Sequence, residues 1–246
     1  MQGQERVVVL TGGAKRVGAA IARRLHGRGL SLVLHYRSAH REAEQLKAEL
    51  ESVRAGSVVL AQADLLHDEA PAVLVEQAIR SFGRLDMLIN NASSFYETPL
   101  QTASPQDWTD LLGTNVRAPF FLCQQAAPYL LAAAGAIVNI IDIHAERPLK
   151  AYPLYSIAKA GLAMLTKSLA LELAPKVRVN GVAPGAILWP TAGFPPQKQQ
   201  EVLERIPCGQ LGSAEDIAAT VAFLLLDSPY VTGQIWAVDG GRSVVL

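Results

Sequence analysis

Tyr155 and Lys159 stand four residues apart in Tyr155-Ser156-Ile157-Ala158-Lys159, and Asp142 precedes the tyrosine by thirteen positions, at the end of an apolar run. A spacing of four puts phenol and ammonium on one face of a helix. An adjacent cation favours phenolate, so the tyrosine is expected to exchange a proton at a lower pH than its free value of about 10. Tyr152 has no lysine four residues on, which makes Tyr155 the candidate.

The N-terminal region supplies a matching cofactor loop, Thr11-Gly12-Gly13-Ala14-Lys15-Arg16-Val17-Gly18. It follows the apolar run Val7-Val8-Val9-Leu10 and precedes a helix-like stretch from Ala19 to Leu25. Strand, glycine-rich turn and helix form the context that a dinucleotide fingerprint requires. The glycines let the backbone approach a pyrophosphate, and a helix N-terminus favours the anion.

The elements that must position these groups alternate. Strand-like runs fall at about 6–11, 30–36, 57–61, 86–90, 136–142, 177–183 and 234–238, and helix-like segments at about 16–28, 39–54, 68–82, 105–133, 152–174 and 214–226. Alternation of this kind implies right-handed crossovers and a parallel seven-stranded sheet with helices on both faces, an α/β doubly wound architecture. Near-continuous runs such as Ile137-Val138-Asn139-Ile140-Ile141 suit strands covered on both sides. No linker or repeat interrupts residues 1–246, so a single domain is expected. The stretch 184–213 breaks the rhythm. It is rich in Pro and Gly, carries Trp189 and Phe194, and is expected to be an irregular substrate loop.

Composition narrows the function classes. Hydrophobic residues make up 50% and charged residues 18% of the 246, enough apolar content for a sizeable core and too much for global disorder. A formal net charge of zero argues against a broad nucleic-acid footprint. No uninterrupted apolar stretch reaches membrane-spanning length. The N-terminus passes from a short polar lead into a strand, without a signal peptide's layout. Cys123 and Cys208 form no metal or redox spacing, and the five histidines are scattered, so no metal site is expected. A reducing cytoplasm fits these features.

Sheets of this class bind ligands at the carboxyl ends of their strands. After the second strand, where an NAD site usually carries an acid, the chain reads His35-Tyr36-Arg37-Ser38. Arg37 offers a planar donor fork to a 2′-phosphate, Ser38 adds a hydroxyl, and the missing acid removes a repulsion of about 4 kcal/mol at 4 Å and an effective dielectric of 20. NADP(H) is therefore expected over NAD(H). Asp64 follows the third strand and is placed to accept from the adenine amino group. Asn90-Asn91-Ala92-Ser93 follows the fourth and Pro184-Gly185 the sixth, the latter as bare backbone beside the nicotinamide amide.

Taken together, Thr11-Gly12-x-x-x-Arg16-x-Gly18, Asn90-Asn91-Ala92, Asn115, Tyr155-x-x-x-Lys159 and Pro184-Gly185 resemble the short-chain dehydrogenases/reductases, in the family's order and over nearly the whole chain. Two departures stand out: Arg16 replaces the usual glycine of the first loop, and Asp142 replaces the usual catalytic serine. Both resemble the pteridine reductases, as do His35-Tyr36-Arg37-Ser38, Asn91-Ala92-Ser93-Ser94-Phe95 and Thr98-Pro99-Leu100.

The resemblance implies a Rossmann-type domain, a homotetramer with the helices at 105–133 and 152–174 in an interface, and NADPH-dependent reduction of C=N bonds in dihydropterins, dihydrofolate, biopterin or folate. It implies that Tyr155 relays or donates the proton, with Asp142 as its partner or as the donor itself. Lys159 would bind nicotinamide-ribose hydroxyls and lower the tyrosine pKa, and Asn115 would hold a water in the proton path. Gly12, Arg16, Val17, His35, Tyr36, Arg37, Ser38, Asp64, Asn91, Ala92, Ser93, Tyr155, Lys159, Pro184 and Gly185 would meet the cofactor. Arg16, Ser94, Phe95, Asp142, Tyr155 and Trp189 would meet the substrate, with Phe95 stacked on the pterin. Two other readings use the same cofactor loop: an NADPH-dependent carbonyl reductase acting on 3-ketoacyl esters, and a non-catalytic NADP-binding regulator.

Overall fold

Alternate residues of the first strand feed two cores. In the computed structural model, which describes residues 5–189, 193 and 195–245, Val8 and Leu10 pack into one hydrophobic cluster and Val7 and Val9 into another on the opposite side. All four are buried, and each such side chain contributes roughly 1.5–3 kcal/mol of burial. The period of two, apolar on both sides, is what makes this segment a central strand.

Seven strands, β1 (Val7–Leu10), β2 (Ser31–Tyr36), β3 (Val58–Gln62), β4 (Met87–Asn90), β5 (Ala136–Ile140), β6 (Arg178–Pro184) and β7 (Ile235–Val238), form one sheet in the order β3-β2-β1-β4-β5-β6-β7. Every pairing is parallel. The helices are α1 (Arg16–Gly27), α2 (His40–Glu51), α3 (Ala70–Phe82), α4 (Pro105–Leu112), α5 (Ala118–Ala133), α6 (Pro153–Glu172), α7 (Pro196–Glu204) and α8 (Ala214–Ala222). Side chains of α1, α2 and α8 cover one face of the sheet. Those of α3, α5 and the end of α6 cover the other. The expected doubly wound α/β sheet is thus the observed one. Its strand order reverses between β1 and β4, the point where such sheets hold their ligands.

Three expectations are corrected. The helix expected over 105–133 is α4 and α5 joined by a π-helical turn, Gly113–Arg117. The side chain of Asn115 donates to the Leu111 carbonyl four residues back at 2.9 Å, competing with the regular helical ladder for that acceptor. The fifth strand ends at Ile140, leaving Asp142 two residues beyond it, where its side chain accepts from the His144 N–H and caps a short 3₁₀ turn. The stretch 184–213 contains a regular helix, α7, which begins at Pro196 and buries no residue. It carries no apolar face, so periodicity does not reveal it. Residues 190–192 and Phe194 of that stretch, and residues 1–4 of the polar lead, lie outside the described residues.

Candidate active site

The glycine loop is built by close approach. Gly12 has φ +61°, and a Cβ on it would meet the Ala92 Cα at 3.0 Å. A Cβ on Gly18 would stand 2.1 Å from the Gly12 carbonyl oxygen, so only glycine lets α1 begin against the loop. Arg16, in the family's glycine position, holds a left-handed φ of +52°. Thr11 ties the loop to the end of β4: its hydroxyl accepts from the N–H groups of Asn91 (2.9 Å) and Ala92 (3.0 Å). The Asn91 amide returns two bonds, to the carbonyls of Thr11 and Gly12.

His35 works from beneath. It is 2% exposed, and its Nδ1 accepts from the Gly12 N–H at 3.1 Å, so Nε2 carries the proton and donates to the Ala63 carbonyl at 3.1 Å. Burial pushes its pKa down, which suits that neutral tautomer. His35 therefore shapes the loop from the cleft floor. Its role in this sheet depends on residues 23 and 28 positions away, which the run His35-Tyr36-Arg37-Ser38 does not show.

Above the loop lies a cleft of about 430 Å³. It gathers Gly12, Arg16, Val17, His35, Tyr36, Arg37, Ser38, Asp64, Asn91, Ala92, Ser93 and Ser94 at the carboxyl ends of β1 to β4. The residues fit a nicotinamide dinucleotide: a glycine cradle, a helix N-terminus, and cationic and hydroxyl donors with no acid at the end of β2. Lys15 also lines the cleft, 2.8 Å from Glu42, and was not singled out by the sequence reading although it sits beside Arg16 in the loop. Pro184 and Gly185 are not among the lining residues. Gly185 instead donates to Val238 at 3.0 Å, and a Cβ on it would lie 2.6 Å from the Asp239 Cβ, so packing against the end of β7 already demands glycine there.

The proton-handling groups adjoin the cleft. Tyr155, on the first turn of α6, donates its hydroxyl to Asp142 Oδ2 at 2.8 Å. Lys159, 2% exposed, donates to the Ile140 carbonyl at 3.0 Å, and its Nζ stands 5.6 Å from the centre of the Tyr155 ring. The expectation of a lowered tyrosine pKa is overturned in this state. Burial and then the Asp142 carboxylate raise the Tyr155 pKa well above its ordinary value. Lys159 bears the opposite cost, with burial pushing its ammonium down to about 8. The tyrosine is thus a neutral donor facing a carboxylate.

Asn115 joins the two regions. Fully buried at the π turn, it accepts from the Ser93 hydroxyl at 2.7 Å and donates to the Ser94 carbonyl at 3.0 Å. The Ser94 hydroxyl lies within hydrogen-bond distance of Asp110 Oδ1 and Thr114 Oγ1, each at 3.3 Å. Phe95, half exposed, meets Tyr155 edge-on with centroids 4.7 Å apart. Across the cleft, Arg16 donates to the carbonyls of Trp189 (3.2 Å) and Leu188 (3.4 Å), which brings Trp189 to the same mouth.

A doubly wound sheet with a dinucleotide cradle at its switch point and a Tyr–Lys pair beside it defines a nicotinamide-dependent oxidoreductase. A family model described as enoyl-(acyl carrier protein) reductase matches residues 12–243. The chain is 36% identical to 3beta-hydroxysteroid dehydrogenase 1 of Eggerthella lenta, over 97% of this chain and 94% of the relative. It is 35% identical to pteridine reductase 1 of Leishmania tarentolae (97% and 96%) and 32% identical to the 3-oxoacyl-(acyl-carrier-protein) reductase FabG of Staphylococcus aureus (95% and 96%). The chain belongs to the short-chain dehydrogenase/reductase family and is an NAD(P)-dependent oxidoreductase. Among the described residues no helix is long and apolar enough to cross a membrane.

Proposed function

We propose that this chain is an NADPH-dependent pteridine reductase, reducing C=N bonds of dihydropterins or dihydrofolate to the tetrahydro forms, and of biopterin or folate to the dihydro forms. The observation that carries the reading is the 2.8 Å bond from the Tyr155 hydroxyl to the Asp142 carboxylate. A serine hydroxyl at that place donates to an oxygen becoming alkoxide, whereas a carboxylate opposes that charge. At a C=N bond the sign reverses, because a protonated imine is positive. Unit charges 4 Å apart interact by about 4 kcal/mol at an effective dielectric of 20, enough to decide between the two chemistries. The similarity to a pteridine reductase supports the same choice.

When bound, the nicotinamide nucleotide supplies the hydride. Tyr155 presents a proton toward the reacting nitrogen, and Asp142, once it has taken a proton from water, replenishes it or donates directly. Lys159 would hold the nicotinamide-ribose hydroxyls, and Asn115 would hold a water on the proton path. Arg37, Ser38 and Lys15 hold a 2′-phosphate, which selects NADPH, and Asp64 meets the adenine. Asn91, Ala92, Ser93, Pro184 and Gly185 border the nicotinamide side. Phe95 stacks on the pterin, a contact worth about 1 kcal/mol beyond burial. Arg16, Ser94 and Trp189 complete the substrate contacts.

Two further features belong to this reading. Ile157, Met164 and Leu171 are exposed at intervals of seven along α6, and Phe120, Phe121 and Tyr129 are exposed on α5. Covering these faces with further copies gives a homotetramer, which sedimentation measures. A cytoplasmic setting suits Cys123 and Cys208, both free thiols.

The competing reading is ketone reduction, favoured by relatives of similar identity that are named for steroid and 3-oxoacyl substrates. NADPH consumption over dihydrobiopterin, dihydrofolate, a 3-oxoacyl thioester and a 3-oxosteroid separates them. The pterins are expected to turn over and the ketones to be slow. Faster turnover of either ketone rejects the proposal.

A further inference from the structure

The wall that begins at the proton donor ends at a carboxylate. Phe95 meets Tyr155 edge-on at 4.7 Å and stacks on Tyr152 with centroids 4.7 Å apart and planes 12° from parallel. The Tyr152 hydroxyl in turn donates to Glu97 Oε1 at 3.4 Å. Stacked rings at that separation are in contact, so no substrate ring enters between Phe95 and Tyr152. The three aromatic rings form one continuous surface running from Tyr155 to the exposed Glu97 side chain. Burial and then Glu97 raise the Tyr152 pKa, so its phenol is a neutral donor at this rim. Asp107 and Asp110, which lie against the neighbouring Tyr96, carry the same sign as Glu97.

On the pterin reading above, a ring laid along Phe95 with its reacting C=N toward Tyr155 and Asp142 sends its side chain past Tyr152. We infer that Glu97, with the Tyr152 hydroxyl, selects pterins bearing a short neutral hydroxylated side chain and disfavours folate-like tails that end in carboxylates. Hydroxyl groups donate to the Glu97 carboxylate, and an anionic tail meets repulsion there. Specificity then rests on a repulsive element as well as an attractive one.

The test is the ratio of kcat/KM for dihydrobiopterin to that for dihydrofolate, with NADPH, in the wild type, Glu97→Gln and Glu97→Lys. Removing the charge is expected to shift the ratio toward dihydrofolate by about fivefold, the scale of an exposed charge pair, and to do so through KM. Glu97→Lys shifts it further. Raising salt from about 20 to about 300 mM should shrink the preference in the wild type and move it less in Glu97→Gln, because the exposed charge is screened. If both pterins are reduced and neither variant moves the ratio, Glu97 does not read the tail although the pterin reading stands. If neither pterin is reduced by the wild type, both conclusions fall.

Discussion

The Tyr155 hydroxyl donates to the Asp142 carboxylate at 2.8 Å, while Lys159 Nζ faces the Ile140 carbonyl at 3.0 Å rather than the phenol oxygen. The charged partner of the phenol in this state is therefore the aspartate, not the lysine. Burial and the carboxylate both hold the phenol protonated, so Tyr155 is a donor throughout neutral and mildly alkaline pH.

Absorbance near 295 nm follows tyrosinate. The difference between the wild type and Tyr155→Phe should stay flat up to about pH 10, the value at which a free tyrosine is half ionised. Asp142→Asn should bring the ionisation to lower pH by removing a neighbouring negative charge. A step in the wild-type difference below pH 9 would show that Lys159, not Asp142, governs the phenol.

Lys159 has a linked effect on stability. Its folded pKa of about 8 lies below the ordinary 10.5, so the unfolded chain binds the extra proton between those values and stability rises with pH across that window. Below pH 8 the full burial cost is present, about 3 kcal/mol for such a shift. Lys159→Met should thus gain stability over the wild type at pH 7, with the gap narrowing by about 2 kcal/mol toward pH 10. Urea unfolding at the two pH values measures this, and a gap independent of pH contradicts it.

Arg37 lines the cleft beside Ser38 at the end of β2. Replacing it by alanine should weaken NADPH binding by about tenfold or more, the loss of a charge-assisted contact, and leave NADH nearly unchanged. Fluorescence titration with each nucleotide reads the difference. Equal weakening of both would mean that Arg37 supports the loop instead of reading the phosphate.

Much of the architecture was legible in the sequence because parallel strands covered on both sides are near-continuous apolar runs, as in Ile137-Val138-Asn139-Ile140-Ile141. The cofactor motif was equally open to reading, since Gly18 is demanded by the Gly12 carbonyl six residues back and Gly12 by its own left-handed φ of +61°. What escaped depends on contacts between distant segments. The support of Gly12 by His35 and the π turn at Asn115 are three-dimensional facts. Helix α7 buries nothing and so leaves no apolar period to find. The direction of the Tyr155 shift followed from burial and then from Asp142, neither of which the spacing to Lys159 reveals.

The central claim is that the charge at position 142 suits a C=N bond. It is tested most directly by the ratio of kcat/KM for dihydrobiopterin to that for a 3-oxoacyl thioester, in the wild type and in Asp142→Ser. The wild type should favour the pterin. Asp142→Ser, with NADPH affinity retained, should move the ratio toward the ketone by about a hundredfold, a change of roughly 3 kcal/mol. A wild type that prefers the thioester, or a ratio that serine leaves unmoved, would contradict the account.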